Sequence, residues 1–181
     1  MMYLLWIVLG LGVGFGGWQL AVWYAGVMDK NKKFRAASTR ARESGKPMLV
    51  AGGPWGTKRI RHILNVPAHG NGDVCLDINY CAIEGHPCGL IADVAYIPFA
   101  DKSFGAAFAS HLLEHLPSTD KASKALAELN RVADAVFIVS PSKQSVGGWL
   151  TADHHLWVRQ RDGKTYFEQR GNKTGHVEAT S

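Results

Sequence analysis

Apolar and uncharged side chains fill the first twenty-eight positions, Met1 to Met28, and six Lys or Arg follow within the next fourteen. A helix rises about 1.5 Å per residue, so roughly twenty such residues cross a hydrocarbon layer about 30 Å thick. Tyr3 to Val27 meet that length with Gln19 as the one strongly polar interruption. Tyr3 and Trp6 lie near one end, and Trp18, Trp23 and Tyr24 toward the other, as in interfacial aromatic belts. No Lys or Arg precedes the run, unlike the basic start of a secretory signal. The pattern therefore predicts a single-pass membrane anchor over residues 1–28. Lys30, Lys32, Lys33, Arg35, Arg40 and Arg42 all follow the run, which predicts an outside N-terminus and a cytoplasmic domain. Gly10/Gly14 and Gly12/Gly16 are spaced so that each pair shares a helix face, where a helix of a larger membrane complex could approach closely.

Beyond the span, residues 29–45 are basic and helix-compatible, a juxtamembrane linker that extends the anchor helix up to the Gly45-Lys46-Pro47 break. Short apolar runs then alternate with amphipathic ones through residues 46–170. Met48 to Ala51, Asp73 to Ile78, Gly89 to Ala92, Gly105 to Ser110 and Ala135 to Ser140 read as strands. Thr57 opens a helical stretch with Ile60, Ile63 and Leu64 on one face, and Thr119 to Val132 repeats Leu126, Leu129 and Val132 at helical intervals. Leu156 to Gln160 and Lys164 to Gln169 flank Arg161-Asp162-Gly163, a hairpin signal. Residues 171–181 form a polar tail. Continuous apolar strands alternating with helices predict an α/β, Rossmann-like domain: a mainly parallel sheet with flanking helices, preceded by one transmembrane helix.

The net charge of +5 changes this picture little, because the basic cluster beside the span accounts for most of it. Such a cluster is attracted to anionic lipid headgroups, and no nucleic-acid motif accompanies it, so nucleic acid is not an expected partner. Three cysteines, Cys75, Cys81 and Cys88, suit a reducing compartment and read as buried small hydrophobes. Cys81, His86 and Cys88 cluster without the paired spacing of a zinc site, so no metal is expected.

In an open α/β sheet, ligands bind at the carboxyl ends of the strands. There the glycine loop Gly52 to Gly56 lets backbone N–H groups approach a ligand, and Asp77 closes the second strand where a carboxylate can accept from ribose hydroxyls. Asp93 follows the third strand, placed for an adenine amino group, and Ser110 and His111 follow the fourth.

Three segments then carry a resemblance. Ala92-Asp93-Val94-Ala95-Tyr96-Ile97-Pro98-Phe99-Ala100-Asp101-Lys102-Ser103-Phe104 resembles the D-x-x-x-L-P-F-x-D-x-S-F-D signature of class I S-adenosylmethionine-dependent methyltransferases, the methyltransferase type 11 group. Ser110-His111-Leu112-Leu113-Glu114-His115-Leu116 is similar to that family's S-x-x-L-E-H segment, and Glu128-Leu129-Asn130-Arg131-Val132 to its E-x-x-R-V helix. The resemblance implies that Gly52, Gly53 and Gly56 form the loop for S-adenosylmethionine, that Asp77 binds its ribose, and that Asp93 and Ser110 flank the adenine and the reacting centre. The sulfonium methyl arrives activated, so the protein has to align an acceptor and, where needed, take a proton. His111 and His154 are the candidate bases, whereas His115 is expected in a packing role. The chain departs from the family pattern at the loop, where no carboxylate precedes Gly52, Pro54 removes a donor and Trp55 adds bulk. Gly105 replaces the signature's last aspartate, and the turn before the fifth strand is shortened to Ala133-Asp134. Two expectations follow. One is a membrane-anchored methyltransferase working at the cytoplasmic face on a small-molecule or lipid-like acceptor. The other is an inactive methyltransferase-like accessory subunit docked in a larger complex through its glycine-rich span.

Overall fold

The computed structural model describes residues 2–52, 72–171 and, as backbone, 176–180. One helix, α1 (Met2–Ser44), runs without a break from the apolar segment through the basic one. No Gly-Pro pair interrupts it before Gly45, which takes φ +67° and ends it. The expected linker at 29–45 is thus the docked part of a rod. Ala37 and Ala41 are fully covered, and the Phe34 ring meets Phe108 edge-on at 5.3 Å. The N-terminal part of α1 is exposed and is long and apolar enough to cross a membrane.

The strands are β1 (Met48–Ala51), β2 (Val74–Asp77), β3 (Gly89–Ile91), β4 (Ala106–Ser110) and β5 (Val136–Val139). They form one parallel sheet in the order β3-β2-β1-β4-β5, the reversal between β2 and β4 falling beside β1. Period-two alternation assigns their side chains to two layers. Met48, Val50, Ala106 and Phe108 face α1, while Leu49, Ala51, Ala107 and Ala109 face α3 (Thr119–Val132). Helix α3 begins where Ser118 Oγ accepts from Lys121 N, and it buries Ala122, Ala125, Leu126, Leu129 and Val132 on one stripe.

Shorter elements sit at the strand ends: α2 (Tyr80–Ile83), a 3-10 turn over Leu113–His115, and α4 (Val146–Leu150). A second, antiparallel sheet has the order β6-β7-β8, from Leu156–Arg161, Lys164–Gln169 and His176–Thr180. Asp162 and Gly163 both take positive φ (52° and 75°), the geometry a two-residue hairpin turn demands. Strand β8 occupies the stretch read from sequence only as a polar tail. Leu156, Val158 and Phe167 seal the α3 layer.

The helical stretch expected from Thr57 lies outside the described residues. The cysteines differ from expectation: Cys75 is buried in β2, where burial pushes its thiol up to about 11, but Cys81 and Cys88 are exposed. Both lie near the β3 edge of the sheet, which no further strand covers among the described residues.

Candidate functional site

Gly52 ends β1 at φ +92°, a conformation open to glycine, and donates its N–H to Leu76 O at 2.9 Å. Gly53, Pro54, Trp55 and Gly56 lie outside the described residues. Asp77 ends β2 half-buried, its Oδ1 accepting from Asn79 N at 2.8 Å. Asp93 follows β3 with both oxygens occupied. Ala95 N donates to Oδ1 at 3.0 Å, and Lys121 Nζ lies 2.9 Å from Oδ2. That backbone donor, aided by Lys121, holds the carboxyl below the usual carboxylate range. An adenine amino group would therefore share Asp93 with two contacts the chain already makes. Ser110 closes β4 at 5% exposure, and its Oγ has no hydrogen-bond partner among the described residues. Gly52, Asp77, Asp93 and Ser110 thus all gather at the carboxyl edge, as the sequence implied.

Helix α1 runs antiparallel to the strands and reaches the same edge. At the opposite edge Ser44 and Ala41 press on Gly105, where an added Cβ would sit 1.9 Å from Ser44 Oγ and 2.8 Å from Ala41 Cα. Toward the carboxyl edge, Lys33 Nζ donates to Ile138 O at 2.8 Å and to Gln160 Oε1 at 3.2 Å, with Asp29 3.0 Å away. Farther up, the Gln19 amide bridges Gln144 O (3.0 Å) and Val146 N (2.9 Å). Between α1 and the segment following β5 lies a cleft of about 860 Å³, walled by Trp23, Lys30, His111, Pro141 and Gln144 among others. The α1 and Ser140–Ser145 walls were not singled out from sequence. Their contacts join residues far apart in the chain, and only the uninterrupted helical composition of α1 hinted at them.

The two candidate bases separate here. His111 lines the cleft with a non-glycine φ of +52°, and its Nδ1 sits 3.2 Å from Glu114 Oε1. Such strained backbone often marks functional positions. His154 is not on the cleft wall: it is buried, bonds Gly148 O through Nδ1 at 3.1 Å, and packs edge-on against His115 with centroids 4.8 Å apart. Burial holds its imidazole below the usual histidine range. His115 is exposed on its other side, its Nδ1 3.1 Å from Asp153 O. His86 meets Gly72 O (3.2 Å) and accepts from Cys88 N (3.1 Å), which ties it into its own turn rather than to Cys81.

Residues 74–135 match the family model of the methyltransferase domain, type 11. The match begins at β2, just after the divergent glycine loop, and ends at the threshold of β5. No curated protein matches the chain. Among solved structures, the PH0226 protein from Pyrococcus horikoshii OT3 is similar at 14% identity and a TM-score of 0.42, covering 77% of this chain and 71% of that one. Residues 74–135, which span β2 to the start of β5 of the parallel β3-β2-β1-β4-β5 sheet, are thus similar to a methyltransferase domain within a Rossmann-like fold.

Proposed function

We propose that this protein is a membrane-anchored methyltransferase that uses S-adenosylmethionine and works at the cytoplasmic face on a membrane-borne acceptor. One observation carries the reading: the edge of the sheet that binds ligands in such folds is also the edge past which the apolar end of α1 extends. A bilayer around that end would lie against the site. An acceptor with a lipid-soluble tail would then meet the cleft beside α1 without leaving the membrane. Tethering raises the effective concentration of enzyme over such an acceptor.

The described residues fit the cofactor in part. Gly52 offers the backbone conformation of a close approach, Asp77 stands at the ribose position, and the unpartnered, buried Ser110 Oγ is a polar group in want of a ligand. Bound S-adenosylmethionine would supply an electrophilic methyl group. Asp77 would hold the cofactor, the cleft walls would align the acceptor, and His111 would take the acceptor's proton. The Glu114 carboxyl, 3.2 Å from its Nδ1, would orient the ring.

Full-length protein in nanodiscs, titrated with S-adenosylmethionine, tests the reading. Micromolar binding is expected, weakened about 10- to 100-fold by Asp77→Ala, the usual cost of a charged hydrogen bond. No binding at millimolar ligand would overturn it and leave the accessory subunit, whose partner helix would cover Gly10, Gly12, Gly14 and Gly16. A Cβ on any of these glycines would meet nothing within 4 Å in the single chain.

A further inference from the structure

Glu114, His115 and His154 present one ligand atom each within 4.8 Å of one another, off the cleft wall, and only Glu114 among them also touches His111. His115 Nδ1 faces Asp153 O at 3.1 Å, and His154 Nδ1 faces Gly148 O at 3.1 Å. A carbonyl oxygen only accepts, so both Nδ1 atoms carry a proton, and Nε2 is the ring atom left to meet an ion. Glu114 is 1% exposed. Its Oε1 meets His111 Nδ1, while its Oε2 has no hydrogen-bond partner among the described residues. Two ring nitrogens and a buried carboxyl with one unpartnered oxygen among the described residues therefore converge. Such an arrangement is electrostatically incomplete without a positive charge at its centre.

We propose that Glu114, His115 and His154 bind a divalent cation of the borderline class, such as Zn²⁺, Co²⁺ or Ni²⁺. Two imidazoles and a carboxylate suit that class, and imidazoles whose second nitrogen donates to a backbone carbonyl are oriented as metal ligands are. Metal bonds of about 2.1 Å would place tetrahedral ligand atoms roughly 3.4 Å apart, so gaps of up to 4.8 Å would close by up to about 1.4 Å on loading. His115, exposed, has room to make that movement and gives the ion a route in. A fourth position is left for water. The ion would clamp the 3-10 turn after β4 to the segment between α4 and β6. That segment is already gripped from its other side by Arg170, which donates to Thr151 O (2.6 Å), His154 O (3.3 Å) and Trp149 O. None of this depends on methyl transfer.

The test is a Co²⁺ titration of the full-length, chelator-stripped protein in detergent, followed by Zn²⁺ displacement. One equivalent per chain is expected, with visible d–d bands and a raised Tm on loading. His115→Ala alters an exposed side chain. It should weaken binding at least about 100-fold, the most that loss of an outer partner costs, with its circular dichroism unchanged. Cys81→Ser/Cys88→Ser should bind as wild type. Absence of saturable binding up to about 1 mM Co²⁺ would overturn the site. So would binding that survives His115→Ala and is lost with the two cysteines. A nitrogen-15 spectrum of the apoprotein at neutral pH offers a check free of any variant. An Nε2–H on either ring, unchanged by added metal, would mean that a proton fills the gap and would also overturn it.

Discussion

At the residue scale, the most densely bonded side chain near the site is structural. Arg131 donates to both Glu128 oxygens (2.7 and 2.9 Å), to Asp101 Oδ1 (2.8 Å), and to the carbonyls of Phe99 (2.8 Å) and Ile97 (2.9 Å). Ile97 N returns a bond to Glu128 Oε2 at 2.8 Å. The E-x-x-R pair therefore pins the signature loop between β3 and β4 rather than touching a substrate. The Arg131 fork holds the Glu128 carboxyl below its ordinary range, a backbone donor does the same for Asp93, and Lys46 for Asp134. Each group is more acidic folded than unfolded, so its contribution is full above the unfolded carboxylate pKa and is lost as pH falls through the folded value. Thermal melts should thus show Tm falling as pH drops below about 4.5. Glu128→Gln should start from a lower Tm at pH 7 and lose less on acidification. A Gln variant with the wild-type slope would mean that the fork adds nothing.

At the element scale, the docking of α1 turns on Gly105. A Cβ there would run into Ala41 and Ser44, so the departure from the signature's aspartate fits a helix lying across the sheet. Gly105→Ala should cost about 1–3 kcal/mol in a denaturant melt, the usual penalty for overpacking. A change within 0.5 kcal/mol would show that α1 is only loosely docked. The five parallel strands, α3 and the β6–β7 hairpin were legible from sequence, because each is declared by its own period and caps: Ser118 before α3, and Asp162-Gly163 in the turn. Helix α4 was not legible. It is five residues long with two glycines, and beside its local Ser145 cap its first N–H is satisfied by Gln19, 127 residues away in the chain. The same holds for the Glu114–His154 meeting, whose ligands come from opposite sides of α3 and β5. Asp77, Asp93 and Ser110 could be placed at the edge because strand ends are local features, whereas Asp93's engagement by Lys121 is tertiary.

At the scale of the whole molecule, the Gln19 contact fixes how deep the domain would sit if α1 spans a bilayer as proposed. From Met2 to Gln19 an α-helix climbs about 26 Å, close to the roughly 30 Å of hydrocarbon. Gln19 would then lie near the inner boundary, with Trp18, Trp23 and Tyr24 at headgroup level. Because Gln19 bonds Gln144 and Val146, α4 would be held at that same level. Its Trp149 and Leu150 are 51% and 79% exposed, large apolar side chains that water alone would not favour. A nitroxide at Leu150→Cys, in a Cys81→Ser/Cys88→Ser background in nanodiscs, reads the placement directly. Its collisions should favour oxygen, which concentrates in lipid, over a water-soluble nickel relaxant. A label at Glu43, exposed at the opposite end of the sheet, should show the reverse. If both labels prefer the aqueous relaxant, the carboxyl edge faces away from the bilayer. An acceptor would then have to reach the cleft through water, even with the anchor in place.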